Sequence, residues 1–223
     1  MINVKQTQTP LFSKLLEHHK YSEYSFHVPG HKWGTVFPEH ANEVFQSLLQ
    51  IDATELTGLD DLHDANGVIE EAQQLAAQFY KVQSTYFLVG GSTVGNLSMI
   101  LTVCSGENDV ILIDRNVHKS VLNGVELARA TPVLLAPEYD QETGITLGVP
   151  LDTIEQAIDK YPNAKAIFLT RPSYYGVAND IRAIVSLAHS RGIPVLVDEA
   201  HGAHFGIGDG FPTSAVEQGA DII

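Results

Sequence analysis

A chain of 223 residues with 44% hydrophobic content has the size and make-up of one large globular domain, or one and a fraction. Its net charge of −14 disfavours nucleic acid and anionic membrane as partners, and no apolar run approaches the roughly 20 residues of a membrane span. The opening Met1-Ile2-Asn3-Val4-Lys5 has no signal-peptide core, and Cys104 stands alone, which excludes a disulfide framework and suits a reducing cytosol. The acidity would suit a small cationic substrate, although solubility accounts for it equally well.

Pro10 to Lys20 reads as an amphipathic helix with Leu11, Leu15 and Leu16 on one side and Pro10 in its first turn. Phe26-His27-Val28-Pro29-Gly30-His31-Lys32-Trp33-Gly34 is a loop, since its Pro and Gly forbid regular structure. Asp52 to His63 is irregular and acidic. Helix and strand then alternate. Val68, Ala72, Leu75, Ala76 and Phe79 recur at helical spacing, and Thr85 to Val89 is a strand candidate. Gly90-Gly91-Ser92-Thr93 leads into a helix with Val94, Leu97, Ile100 and Leu101 inward. Next come a strand at Val110 to Asp114, a helix through Leu122, Val125 and Ala128, and a strand at Pro132 to Ala136. A helix follows from Asp152 to Tyr161, with Asp152 and Glu155 as a capping pair. Ala166 to Thr170 is a strand, and Ile181, Ile184, Val185 and Ala188 mark a helix that Gly192 closes. Val195-Leu196-Val197 lacks polar alternation and should be a strand covered on both faces. Ala220 to Ile223 begins another. The pattern implies an α/β fold: a doubly wound, mostly parallel sheet with helices on both faces.

The candidate chemistry falls at strand ends, where ligands of open α/β sheets bind. Asp198 closes a buried strand, so it either caps the next turn or holds a protonated ring nitrogen of a cofactor. Gly91, Ser92 and Thr93 lie between a strand and a helix start, where backbone N–H groups, hydroxyls and the helix dipole favour an anion; a plain capped turn has the same sequence. The loop fits neither a Walker motif nor a dinucleotide fingerprint. His118 follows a strand and could stack on an aromatic ring or cap a helix. The Thr170 hydroxyl could reach a ring substituent. His201 and His204 with Asp198 and Glu199 also admit a metal reading, but their spacing lacks a helix and a further ligand, so no metal site is assigned.

These residues, in this order, resemble the Orn/Lys/Arg decarboxylases of the fold type I pyridoxal-phosphate (PLP) enzymes. The resemblance rests on Phe26-His27-Val28-Pro29-Gly30-His31-Lys32, Thr54-Glu55-Leu56 and Gly58-Leu59-Asp60-Asp61-Leu62-His63. It continues through Gly91-Ser92-Thr93-Val94-Gly95-Asn96, Arg115-Asn116-Val117-His118-Lys119-Ser120 and Pro172-Ser173-Tyr174-Tyr175-Gly176 to Asp198-Glu199-Ala200-His201-Gly202-Ala203-His204-Phe205. Gly90 departs mildly, Asn being common there. The resemblance implies that Gly91, Ser92 and Thr93 hold the cofactor phosphate and His118 stacks on the pyridine ring. Asp198 would pair with the ring nitrogen, His201 sit beside the ring and Thr170 approach the phenolic oxygen. It further implies a basic amino acid as substrate and a dimer or larger homo-oligomer.

The family's Schiff-base lysine follows a Ser-x-His-Lys motif just beyond the strand that starts at Asp221, and no such motif occurs in residues 1–223. His31-Lys32 and His118-Lys119 belong to other motifs. The expectation is therefore an N-terminal arm and loops over 1–64, then an incomplete PLP-binding large domain over 65–223, catalytically inactive by itself. In the fold resembled, the strand at Thr85 to Val89 pairs with one that comes after Ile223, so it should lack its lateral partner here. The alternatives are an inactive remnant serving as a binding module, or another fold type I PLP enzyme such as an aminotransferase.

Overall fold

The computed structural model describes residues 5–21 and 24–223; Met1 to Val4, part of the segment read above for a signal peptide, lie outside them. Contacts divide the chain into two compact units, Met1–Phe87 and Leu88–Ile223.

The first unit contains α1 (Pro10–Tyr21), α2 (Glu39–Leu49) and α3 (Val68–Tyr80). α1 opens on Pro10 as expected. α2 follows Pro38, and its apolar pattern is hard to read because Val44 and Leu48 are exposed. α3 packs on α1 within this unit, so the division falls after α3 and not at residue 64. The Trp33 ring meets those of His18, His19 and His27 at centroid distances of 6.5, 5.4 and 6.0 Å.

Asp60 organises the acidic loop. It adopts φ +81°, and its carboxylate accepts from the backbone N–H groups of Asp61, Asn66, Gly67, Ile69 and Glu70. Ile69 and Glu70 lie in the first turn of α3, so Asp60 caps that helix from eight residues before Val68. Burial alone would raise its pKa, but the backbone donors outweigh it and lower the pKa to about 2.

The second unit holds α4 (Gly91–Val103), β1 (Val110–Asp114), α5 (Lys119–Ala128), β2 (Thr131–Leu135), α6 (Leu151–Lys160), β3 (Ala166–Thr170), α7 (Arg182–Ser190) and β4 (Val195–Asp198). The sheet runs β2-β1-β3-β4, every pairing parallel. Met99, Ile100, Val121 and Val125 from α4 and α5 bury one face over Ile111, Ile113, Phe168 and Leu196. Ile154, Ile158, Ile184 and Ala188 from α6 and α7 bury the other over Leu112, Ile167, Val195 and Val197. The strands are apolar throughout because both faces are covered. α4 and α5 approach closely at Gly124, where a Cβ would come 2.8 Å from Ile100 Cδ1.

Several expectations need correction. Thr85 to Val89 is not a strand. No strand of the described residues lies beside it to complete a ladder, and the Phe87 backbone N–H donates instead to Gln73 Oε1 at 2.8 Å. Tyr86 and Val89 are exposed, as expected of a segment without a lateral partner. On α4 the buried residues are Asn96, Met99 and Ile100, while Val94 and Leu101 face outward; this helix is apolar nearly all round, so periodicity does not select a face. Leu122 on α5 is also exposed. Asp152 does not form the expected capping pair: α6 follows Pro150 without a side-chain cap, and Asp152 Oδ1 accepts from its neighbour Thr153. The segment at Ala220 to Ile223 runs beside β4 as a single parallel bridge, Leu196 to Ile222, with Val197 N–H donating to the Ile222 carbonyl at 2.9 Å.

Candidate active site

The chain crosses from β1 through α5 to β2 on one side, then returns through α6 to β3 on the other side of β1. The reversal opens a crevice at the carboxyl ends of β1 and β3, the position where such sheets bind ligands. A cavity of about 120 Å³ near these ends lies on the α6/α7 side, lined among others by Asp114, Leu169, Arg171 and Ile184; Asp198, His118 and the Gly91 turn do not line it.

Strand alternation sorts the polar residues at these ends. Thr170 and Asp198 are register partners. Each lies two residues beyond a side chain buried on the α4/α5 face, Phe168 and Leu196, so both belong to that face. Asp114 follows Leu112 and belongs to the opposite face. Burial pushes the Asp114 carboxyl up, opposed by the Asn116 and Thr170 backbone N–H groups.

Asp198 is 8% exposed. Its Oδ2 accepts from Asn96 Nδ2 at 2.8 Å, and its Oδ1 from the Ala200 backbone N–H at 3.1 Å. Asn96 Nδ2 also donates to Ser120 Oγ at 2.9 Å, and Ser120 Oγ lies 2.8 Å from His118 Nδ1. His118 is the N-cap of α5, its Nδ1 accepting from the Ser120 backbone N–H at 3.2 Å. Thus α4, α5 and β4 meet in one polar chain, Asp198–Asn96–Ser120–His118. Both residues take part in local capping, Asp198 through the Ala200 N–H and His118 through the Ser120 N–H.

α4 starts at Gly91, with Gly90 as N-cap and no side-chain cap. Gly91 adopts φ +66°, and a Cβ built on it would meet nothing within 4 Å. Its open first turn leaves N–H groups without intrahelical acceptors. Ser92 and Thr93 are exposed there. They precede Asn96 by four and three residues, which puts them on the helix side facing Asp198, about 6 Å nearer its start for Ser92.

A buried ion pair holds the following loop. Arg171 Nη1 lies 2.8 Å from Glu199 Oε1, with side-chain exposures of 4% and 7%. Arg171 Nε donates to the Asn179 carbonyl, and Glu199 also accepts from the Ala215 backbone N–H. Burial pushes the Glu199 carboxyl up, against the pull of Ala215 and Arg171. Glu199 is therefore engaged structurally, and among the described residues no group of three or more His, Cys, Asp or Glu is gathered to hold a metal. His201 lies in the 3-10 turn Ala200–Gly202, exposed, its ring edge-on to Tyr174 at 6.4 Å. His204 contacts the Phe205 and Phe211 rings. Asn96 and Ser120 are the site residues that single-residue reading missed; nothing in their type distinguishes them from ordinary helix positions.

The arrangement fits a phosphorylated heteroaromatic group. Thr170 Oγ1 is buried without a hydrogen-bond partner, on the same face as the partly free Asp198 carboxylate. The uncapped Gly91 turn supplies anion donors on the same helix as Asn96.

Residues 9–222 match the family described as Orn/Lys/Arg decarboxylase, major domain. The chain belongs to this decarboxylase family. An uncharacterised Bacillus subtilis protein, YaaO, is 54% identical over 96% of this chain and 45% of its own length. The arginine decarboxylase of Halalkalibacterium halodurans is 41% identical over 98% of the chain and 44% of its own length. The chain thus spans about half the length of these relatives. Lysine decarboxylase A from Pseudomonas aeruginosa superposes with a TM-score of 0.72 at 27% identity, covering 85% of this chain and 28% of that one. The parallel sheet with helices on both faces is accordingly the decarboxylase family's architecture, and no helix of the described residues is long and apolar enough to cross a membrane.

Proposed function

We propose that this chain forms part of the PLP-binding half of a decarboxylase acting on arginine, lysine or ornithine, releasing carbon dioxide and the corresponding amine. The observation that carries the reading is the pairing, on one sheet face, of a half-satisfied buried carboxylate at Asp198 with the unpartnered buried hydroxyl of Thr170. PLP, when bound, supplies an electron sink for the charge left as carbon dioxide departs.

The chain's own residues supply binding and polarity. The free capacity of Asp198 would accept the pyridine N–H and keep the ring nitrogen protonated. Thr170 Oγ1, buried without a partner, would donate to the ring's phenolic oxygen. The N–H groups at Gly91, Ser92 and Thr93, with the two hydroxyls, hold the phosphate. His118 and His201, on the loop after Asp198, would be the side chains that hold the ring itself. The substrate is a small basic amino acid, consistent with the net charge of −14. Exposed apolar residues on α4 and α5, Leu101, Leu122 and Leu127, favour a homo-oligomer. The single, buried Cys104 suits the cytosol.

Residues 1–223 contain no Ser-x-His-Lys sequence, so by themselves they are expected to bind PLP reversibly and to release no carbon dioxide. The test has two parts. Carbon dioxide release from each basic amino acid is measured with the full-length protein, and PLP binding with residues 1–223. Release from none of the three substrates, or turnover by residues 1–223 with PLP fixed to Lys32 or Lys119 by borohydride, overturns the reading.

A further inference from the structure

Asn96 is 2% exposed and sits at the middle of the polar chain. A carboxylate only accepts, so the atom facing Asp198 Oδ2 at 2.8 Å is the amide nitrogen of Asn96. The second hydrogen of that nitrogen goes to Ser120 Oγ at 2.9 Å, which therefore accepts. The Ser120 hydroxyl hydrogen is then free for His118 Nδ1 at 2.8 Å. The Ser120 backbone N–H, which only donates, points at the same ring atom at 3.2 Å. Nδ1 accordingly carries no hydrogen, and the ring hydrogen is on Nε2. The direction of every bond follows from the carboxylate at one end. Ser120 is also 2% exposed, so the Asp198–Asn96–Ser120 part of the chain is shielded from solvent, while His118 at its end is exposed.

We propose that Asn96 is the positioning residue of this site: one amide orients the Asp198 carboxylate and, through Ser120, sets the tautomer and ring orientation of His118. It touches neither substrate nor cofactor. Asn96 takes one lone pair of Oδ2 and the Ala200 N–H one lone pair of Oδ1, which orients the carboxylate and leaves half of its accepting capacity open. Its bearing on a cofactor rests on the PLP reading above, whereas the network itself does not.

The test uses residues 1–223 and has two arms. In the ligand-free protein, nitrogen NMR of labelled histidine and asparagine reads the network directly. The expected result is His118 with its hydrogen on Nε2 and both Asn96 amide hydrogens exchanging slowly. A hydrogen on Nδ1, or Asn96 exchanging like an exposed amide, overturns the proposal. In the second arm, wild type, Asn96→Ala and Asn96→Leu are titrated with PLP and with 1-deaza-PLP, whose ring carries carbon in place of nitrogen. Wild type is expected to prefer PLP about tenfold, the size of one charge-assisted hydrogen bond, and both variants to lose that preference while binding the deaza analogue as before. Ser120→Ala, which spares the Asn96–Asp198 bond, retains it. Equal weakening toward both ligands means that Asn96 only supports the fold, and sinks the proposal. Asn96→Leu matches the amide in shape and serves where Asn96→Ala does not fold. A wild type without preference, or without PLP binding, refutes the cofactor reading instead, and the network then stands or falls on the NMR arm.

Discussion

Asp60 in the first unit accepts from five backbone N–H groups, whereas Asp198 in the second accepts from one side-chain amide and one backbone N–H. A carboxylate has about four lone-pair sites. Asp60 is fully subscribed, so it has nothing left for a ligand and serves to cap α3. Asp198 is held just firmly enough to be oriented, and half of its accepting capacity is open. The two acids occur in comparably recognisable motifs. What separates the two acids is the unused hydrogen-bonding capacity, on which the proposed role of Asp198 rests.

That contrast can be broken most directly at Asp198. In the full-length enzyme, Asp198→Asn should lower carbon dioxide release at least about a hundredfold, as removal of one preorganised electrostatic partner does, while the melting temperature changes little. Near-normal turnover would return Asp198 to the class of caps. The reciprocal change, Asp60→Ala, should act on stability: about 1–2 kcal/mol, the usual worth of a helix cap, read as a lower urea midpoint. Preserved stability with lost PLP binding would reverse the assignment of the two acids.

The comparison sharpens with pH. The folded pKa of Asp60, about 2, lies below its ordinary 3.8. Its contribution is therefore complete above about pH 4 and is lost as the pH falls toward 2. Circular dichroism of α3 should fade over that window in wild type and show no such step in Asp60→Ala. The smallest effect concerns the uncapped turn. At Gly91→Ala the new Cβ meets open space, so only the positive φ is strained, at about 1 kcal/mol. Affinity for inorganic phosphate should fall severalfold if this turn holds the anion; unchanged affinity would place the phosphate elsewhere.

β1 and β3 fall where continuous apolar runs put them, at Val110–Asp114 and Ala166–Thr170. The runs ending at Asp114, Thr170 and Asp198 identify the strand termini, because period and punctuation are local properties of the chain. The sequence by itself therefore determined the fold class, the strand ends and the motifs by which the family is recognised. Tertiary structure decided the rest. Asn96 and Asp198 are 102 residues apart and bond only because α4 lies against β4. The face that α4 buries, the Arg171–Glu199 pair and the reach of Asp60 to α3 likewise depend on which neighbour arrives. Thr85–Val89 has the composition of a strand and is not one, since a strand exists only when another backbone completes its hydrogen bonds.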